Sequence, residues 1–172
     1  MIVFDLETDG LLHDVSTIHC LVLYNTEDDK IIEYNDQGGD CEPIVRGLTY
    51  LDEAKDIVGH NIISYDIPVI KKLYPFFNPS GSIIDTLLLS RLYHPNMMDV
   101  DKKHAWKNMP LKLYGRHSLE SYGYRLGEYK GEFGKSTDWK DWSEEMQQYC
   151  VQDVVVTTKL CNHFRPYLNG SR

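Results

Sequence analysis

The stretch that decides the fold is the N-terminal run from Met1 to Gly10, MIVFDLETDG. Its apolar residues predict a β-strand that ends at the turn-forming Gly10. Because alternate side chains of a strand share a face, Asp5 and Glu7 point to one side and Leu6 to the other. Two acids beside a buried apolar run are costly unless a cation or hydrogen-bond donors satisfy them. The pair is therefore either an acidic strand end in water or half of a metal site.

The composition excludes several classes of protein. A chain of 172 residues, 42% apolar and 26% charged, is typical of one globular domain, and we expect a single domain over residues 1–172. The sequence has no apolar run long enough to span a membrane and no signal-peptide pattern, so we expect a cytoplasmic protein without membrane association. The four cysteines have no C-x-x-C spacing, and we expect reduced thiols.

The charge is unevenly distributed along the chain. A net charge of -8 argues mildly against nucleic-acid binding, yet the basic segment from Lys102 to Leu119 has five Lys or Arg and no Asp or Glu. An acidic body can still hold a polyanion locally, especially where a bound divalent cation inverts the sign of an acidic site. The residues from Lys102 to Arg116 either follow the phosphates of single-stranded DNA or form a solvated polar loop.

Strand and helix patterns alternate along the chain and predict an α/β fold. Three closely spaced strands predict an antiparallel meander: the N-terminal strand, residues 17–24 and residues 30–34. A further strand is predicted at residues 56–60. Helices are predicted at residues 43–54, from near Asp66 to before Pro75, at 85–93 and at 118–124, with irregular segments at 94–116 and 127–142.

The C-terminal segment is predicted to be a helix capped by Ser143. Val154 to Thr158 locally favour a strand, but apolar residues recur every three to four positions, which is the helical period. Asp153 lies within this apolar stripe, with Tyr149 four residues earlier on the same face. Asp153 is therefore either a core residue bonded to nearby backbone or to a Tyr hydroxyl, or a functional acid.

Four acids interrupt apolar elements that should face the core: Asp5, Glu7, Asp66 and Asp153. Four carboxylates that converge on one point would repel each other, and divalent cations relieve that repulsion. Hard cations such as Mg²⁺ prefer oxygen ligands. Two metals about 4 Å apart are the usual apparatus of phosphodiester cleavage. The pattern indicates a metal-dependent nuclease.

Three short motifs carry a resemblance to a known family. They are, in chain order, Asp5-x-Glu7, Asn61-x(4)-Asp66 and Tyr149-x(3)-Asp153. Their order and spacing resemble those of the DEDD (DnaQ-like) 3′→5′ exonucleases. Tyr149, with Gln148 where the other branch has histidine, resembles the tyrosine branch. Residues 84–92 and 123–132 are similar to the exonuclease domain of family A DNA polymerases from short-tailed bacteriophages.

The resemblance implies a ribonuclease H-like α/β fold, with a mixed sheet of about five strands flanked by helices. It also implies two divalent cations, Mg²⁺ or Mn²⁺, and a catalytic role for each matching residue. Asp5 should bridge both metals, Glu7 and Asp153 should hold the metal that activates water, and Asp66 should help to hold the second. Tyr149 should orient the attacking water.

Three further residues are predicted to bind substrate, each with a plainer alternative. Thr8 is otherwise an ordinary turn residue, Asn61 a residue with a strand-end hydrogen bond, and Leu6 a core residue unless the strand end splays. The implied partner is the 3′ end of single-stranded or frayed DNA, together with a DNA polymerase in cis or in trans. For a phage protein, the implied location is the cytoplasm of the bacterial host.

The sequence therefore predicts a 3′→5′ exonuclease that releases 5′-mononucleotides, in proofreading or in DNA degradation. No polymerase palm, fingers or thumb follows Arg172, so we expect a free-standing exonuclease or an excised domain. Two alternatives remain open. One is a non-catalytic nucleic-acid-binding or polymerase-docking module of the same fold, and the other is an exonuclease for RNA or oligoribonucleotides.

Overall fold

A mixed β-sheet forms the centre of the protein, whose computed structural model describes residues 1–128 and 138–172. Its strands are β1 (Ile2–Thr8), β2 (Ile18–Asn25), β3 (Lys30–Asn35), β4 (Asp56–Gly59) and β5 (Ser82–Asp85). Their order is β3-β2-β1-β4-β5. The first three strands are antiparallel, whereas β4 pairs parallel with both β1 and β5. The predicted mixed sheet and its meander are confirmed.

Helices cover both faces of this sheet. They are α1 (Ile44–Glu53), α2 (Asp66–Leu73), α3 (Thr86–Tyr93), α4 (Met97–His104), α5 (Leu119–Arg125) and α6 (Glu144–Leu168). Phe4 of β1 packs in one buried cluster with α1 and α2, and Val3 packs in another with α6. Across the described residues, none of the helices has the length and apolar composition needed to cross a bilayer.

Two of the predicted boundaries are wrong. Residues 83–85 lead into a helix in the prediction but belong to β5, and α3 begins at Thr86. The segment 94–116 is not irregular throughout, because it contains α4 and a 3₁₀-helix at Leu111–Leu113. Part of the predicted loop at 127–142 and of the similar segment at 123–132 lies outside the described residues.

A buried ion pair explains why the segment after α3 is ordered. Asp101 of α4 is fully buried and accepts hydrogen bonds from Arg125, from the Trp106 indole and from the Gly115 backbone, at 2.7–2.9 Å. Its partner Arg125 lies 24 residues further along the chain. This ion pair holds the segment in place. It forms only when Asp101 and Arg125 meet in the folded chain, so local sequence patterns do not predict it.

The predicted C-terminal helix is confirmed. The Ser143 hydroxyl accepts a hydrogen bond from the Met146 N–H at 3.2 Å, as the N-cap prediction required. Thr157 and Thr158 each donate their hydroxyl to the carbonyl four residues earlier, at 2.7 Å. This bond satisfies the polar group of a β-branched residue within a helix. Burial of the apolar stripe outweighs the local preference for a strand.

Asp85 ties together the ends of two neighbouring parallel strands. It accepts hydrogen bonds from the backbone N–H groups of Asn61, Ile63 and Leu87, at 2.9–3.0 Å. It thereby caps α3 and holds the turn that leads from β4 toward Asp66 of α2. These contacts give Asp85 a structural role.

Gly59, at the end of β4, is predicted to be intolerant of a side chain. A Cβ atom there would overlap Cγ2 of Ile62 and lie 3.1 Å from the carbonyl oxygen of Phe4. Because both neighbours are buried, we expect Gly59→Ala to lower the free energy of unfolding by about 1–3 kcal/mol in urea titrations.

Gly39→Ala is the matched control, because a Cβ at Gly39 meets no atom within 4 Å. We expect its free energy of unfolding to stay within about 0.5 kcal/mol of the parent value. Equal stability of the two variants would contradict the packing argument.

Candidate active site

The acid pair lies at the end of β1, on the face that packs against α6. Asp5 is half-buried, and the Glu7 side chain is only 9% exposed. The pairing of β1 with β2 shifts between Glu7 and Thr8, and such bulges re-aim side chains at strand ends. One potential ligand atom from each of Asp5, Glu7 and Cys150 lies within 4.8 Å of the others. The prediction that the two acids share a face is confirmed.

Helix α6 brings the third motif to the same strand. Asp153 is 5% exposed, and Tyr149, one turn earlier, is half-buried. Between them, the Cys150 thiol donates to the Asp5 carbonyl at 3.4 Å. Burial, followed by contact with Cys20, raises the pKa of this thiol well above its usual value. The N-terminal half of α6 therefore lies directly against the acid-bearing end of β1.

Asp66 reaches this region from the opposite face of the sheet. It is the first residue of α2 and is 4% exposed. Burial, followed by the neighbouring charges of Asp85 and Asp153, raises the Asp66 pKa to about 8, while backbone hydrogen bonds, including one with Leu6, oppose that rise. The charge of Asp153, carried by α6 on one face of the sheet, thus acts on Asp66, carried by α2 on the other face. The two acids meet at the edge of the sheet where β1 ends.

The donor set fits a divalent hard cation. Asp5, Glu7, Asp66 and Asp153 offer carboxylate oxygens, which are the ligands that Mg²⁺ and Mn²⁺ prefer. The pKa of Asp66 is raised because it costs free energy to bury this carboxylate in its ionised form near other acids. A bound cation would offset that cost by favouring the ionised acids.

Thr8 and Leu6 line a cavity beside the acids. The cavity has a volume of about 360 Å³, and its wall consists of residues 6–11, Tyr65 and Trp139. The Thr8 hydroxyl donates to the Gly10 carbonyl at 2.9 Å and lies 2.5 Å from the Tyr65 hydroxyl. Leu6 is also part of the core, with 4% exposure. Both residues therefore have structural contacts, and their roles in substrate binding stay predictions.

Asn61 lies in the turn between β4 and α2. Its φ of 63° is in the left-handed region, which Asn adopts more readily than most residues. Its backbone N–H is held by Asp85, as described above. The side chain is half-buried, and its proposed contact with substrate stays a prediction.

The basic segment presents its cations to solvent. All five are exposed: Lys102, Lys103, Lys107, Lys112 and Arg116. Two aromatic residues within or near this segment make internal contacts. Tyr122 is 3% exposed and lies 2.5 Å from the Ser90 hydroxyl, while the Trp106 indole is bonded to Asp101. A role for the segment in holding DNA stays a prediction.

Sequence reasoning missed two residues of the site. Cys150 is not among the predicted site residues, although it is the immediate neighbour of Tyr149. Tyr65 is not among them either, yet it directly precedes Asp66 and its hydroxyl donates to the Gly10 carbonyl at 2.5 Å. Adjacency to a motif was the available signal in both cases.

The chain matches the model of a known protein family. The RNase_H_2 family of the RNase H superfamily matches residues 2–165. The chain therefore belongs to the RNase H superfamily, and the predicted ribonuclease H-like fold is confirmed.

Two relatives show which members of this superfamily the chain is similar to. The chain is 37% identical over 183 aligned positions to a DNA-directed DNA polymerase of Enterobacteria phage T3. It is 36% identical over 184 positions to a DNA-directed DNA polymerase of Escherichia phage T7. Each match covers 93% of this chain and 26% of the relative, so the chain spans about a quarter of the length of these relatives. The predicted similarity to phage polymerases is confirmed.

Solved structures share the fold at low sequence identity. Brucella melitensis NrnC with bound Mg²⁺ is 17% identical with a TM-score of 0.63, covering 98% of this chain and 74% of its own. The zinc-bound complex of Escherichia coli ExoI with single-stranded DNA is 16% identical with a TM-score of 0.56, covering 99% and 42%. At these identities the likeness establishes the fold alone.

The buried carboxylate of Asp66 predicts a pH-dependent stability in the absence of metal. Its folded-state pKa of about 8 exceeds the ordinary value of 3.8, so the folded chain binds a proton that the unfolded chain releases. Its contribution to stability is therefore present below about pH 4 and is lost as the pH rises toward about 8. We expect Asp66→Asn to raise the melting temperature in EDTA near pH 8, and to have a smaller effect near pH 5.

The exposed Asp141 provides the control, because Asp141→Asn removes a carboxylate that water already solvates. Thermal unfolding of the parent and both variants in EDTA at the two pH values measures the change in melting temperature that each substitution causes. If Asp66→Asn were less stable than the parent at both pH values, the buried carboxylate would not be destabilising, and the prediction would be wrong.

Proposed function

We propose that this protein is a metal-dependent 3′→5′ exonuclease that releases 5′-mononucleotides from single-stranded or frayed DNA by two-metal-ion hydrolysis. The observation that carries the proposal is the convergence of acids from β1, α2 and α6 on one edge of the sheet. Membership of the RNase H superfamily and similarity to two phage DNA polymerases support it.

The residues that would hold the metals are the four carboxylates. Asp5 would contact both ions, Glu7 and Asp153 would complete the site of the first, and Asp66 would help to hold the second. When bound, two such cations make the attacking water more acidic and stabilise negative charge on the leaving 3′ oxygen.

Tyr149 is proposed to orient the attacking water. It lies one turn from Asp153 on α6, so the helix places the two residues on the same face. Orientation of this kind accelerates a reaction because the reacting atoms are held close to the geometry of attack. The same helix is packed against β1, which ties the position of Tyr149 to that of the acid pair.

The cavity beside Thr8 is proposed to hold the terminal nucleotide. Its volume of about 360 Å³ falls within the usual range for small-molecule sites. Leu6 would supply apolar contact, the Thr8 hydroxyl would contact the terminal sugar, and Asn61 would contact the backbone of the strand. The exposed cations of the basic segment would follow the preceding phosphates.

A DNA polymerase is the proposed protein partner, in cis or in trans. The support is that the relatives are DNA polymerases of which this chain corresponds to about a quarter. The same phage relatives support action in the cytoplasm of a bacterial host.

Nuclease activity is predicted to require metal and the acid pair. A 3′-labelled oligodeoxynucleotide should lose labelled mononucleotide with Mg²⁺ or Mn²⁺ and remain intact in EDTA. A 5′-labelled strand should shorten stepwise. We expect Asp5→Ala combined with Glu7→Ala to abolish both reactions, because the metal ligands are lost.

Asp14→Asn provides a control for this experiment, since it alters an exposed acid of the same N-terminal region. A matched RNA strand tests the sugar preference, and faster degradation of RNA would redirect the proposal to an RNA exonuclease. Undiminished hydrolysis by the double variant would overturn the assignment of the site.

The Tyr149 hydroxyl is predicted to act on turnover more than on binding. We expect Tyr149→Phe to lower kcat by about 10²-fold with a smaller change in KM, because water orientation matters in the reaction step. Tyr24→Phe is the control, since the Tyr24 hydroxyl donates to Asp29 outside the proposed site. A selective rise in KM would instead assign Tyr149 to substrate binding.

A further inference from the structure

The acid pair has a third potential ligand of different chemistry. Cys150 of α6 has no exposed surface, and its Sγ lies 3.7 Å from Oδ2 of Asp5 and 3.4 Å from the Asp5 carbonyl oxygen. Ligand atoms of Asp5, Glu7 and Cys150 are all within 4.8 Å of one another. Two carboxylates and a thiol therefore converge on one volume.

One of these separations, between Sγ of Cys150 and Oδ2 of Asp5, matches the distance between two ligands of a tetrahedral ion. Zn²⁺ lies about 2.3 Å from a thiolate sulfur and about 2.1 Å from a carboxylate oxygen, so the edge between the two ligands is about 3.6 Å. The observed separation of Sγ and Oδ2 is 3.7 Å. By contrast, Mg²⁺ requires oxygen ligands at about 2.0–2.1 Å and would not use the sulfur.

We propose that Cys150 is a ligand for soft divalent cations such as Zn²⁺ and Cd²⁺, which it holds together with Asp5 and Glu7 in competition with Mg²⁺. On binding, the metal–sulfur bond forms and the thiol proton passes to solvent, with no change of oxidation state. This inference rests on the proposed function, because it takes the acid pair to be the metal site of the nuclease. It adds a choice of metal that carboxylates alone would not provide.

Cobalt binding tests the thiol ligand independently of catalysis. Co²⁺ is titrated under anaerobic conditions into protein that carries Cys41→Ser, which removes a half-buried thiol outside the site. We expect one equivalent to produce a thiolate-to-cobalt charge-transfer absorption. One equivalent of Cd²⁺ should displace the cobalt, whereas an excess of Mg²⁺ should not.

Two variants locate the sulfur. In the same background, Cys150→Ser should lose the absorption and bind Cd²⁺ about 10–100-fold more weakly by calorimetry. Cys161→Ser should retain both properties, because Cys161 is a buried cysteine of the same helix whose Sγ contacts Met1. Absorption that persists in Cys150→Ser would overturn the proposal, as would its absence from folded protein with Cys150 intact.

Hydrolysis of a 3′-labelled strand by the unaltered chain with Mg²⁺ separates this proposal from the nuclease assignment. Activity without the cobalt–thiolate absorption would overturn the thiol ligand and leave the function in place. Absorption without activity would keep Cys150 as a ligand and overturn the function.

Discussion

The burial of several carboxylates at one edge of the central sheet is the constraint on which the rest of the structure depends. Asp66 and Asp153 are almost completely enclosed, and the pKa of Asp66 is raised to about 8 by its surroundings. A fold selected for stability alone would place apolar side chains at such positions. The supporting elements are best understood by how they hold these acids in place.

Each supporting element approaches the edge from a different direction. The long helix α6 crosses one face and carries Asp153, while α2 begins at the edge and carries Asp66 from the other face. Asp85 fixes the turn before α2 through three backbone N–H groups, so its own charge is satisfied by the structure that it stabilises. Asp85 thus maintains the scaffold, while its charge also acts on the neighbouring Asp66 of the proposed site.

Local patterns predicted the parts of the site that local physics determines. The period of a strand places Asp5 and Glu7 on one face, and the period of a helix overrides the strand preference of Val154 to Thr158. The regular structure of α4 could not be predicted, because it depends on an ion pair between Asp101 and Arg125, which lies 24 positions away. Polar residues of this kind reveal their role only when a tertiary partner is known.

Cys150 shows the same limit within the site itself. As a small, buried residue of the apolar stripe, it belongs to the cluster that joins α6 to the sheet, and a core role accounts for its position in the sequence. Its contact with Asp5 spans 145 residues and exists only because α6 packs across β1. The side chain of Cys150 therefore contributes to helix packing and also brings a thiol to the carboxylates of the proposed site, because the packing that encloses Asp5 encloses the sulfur with it.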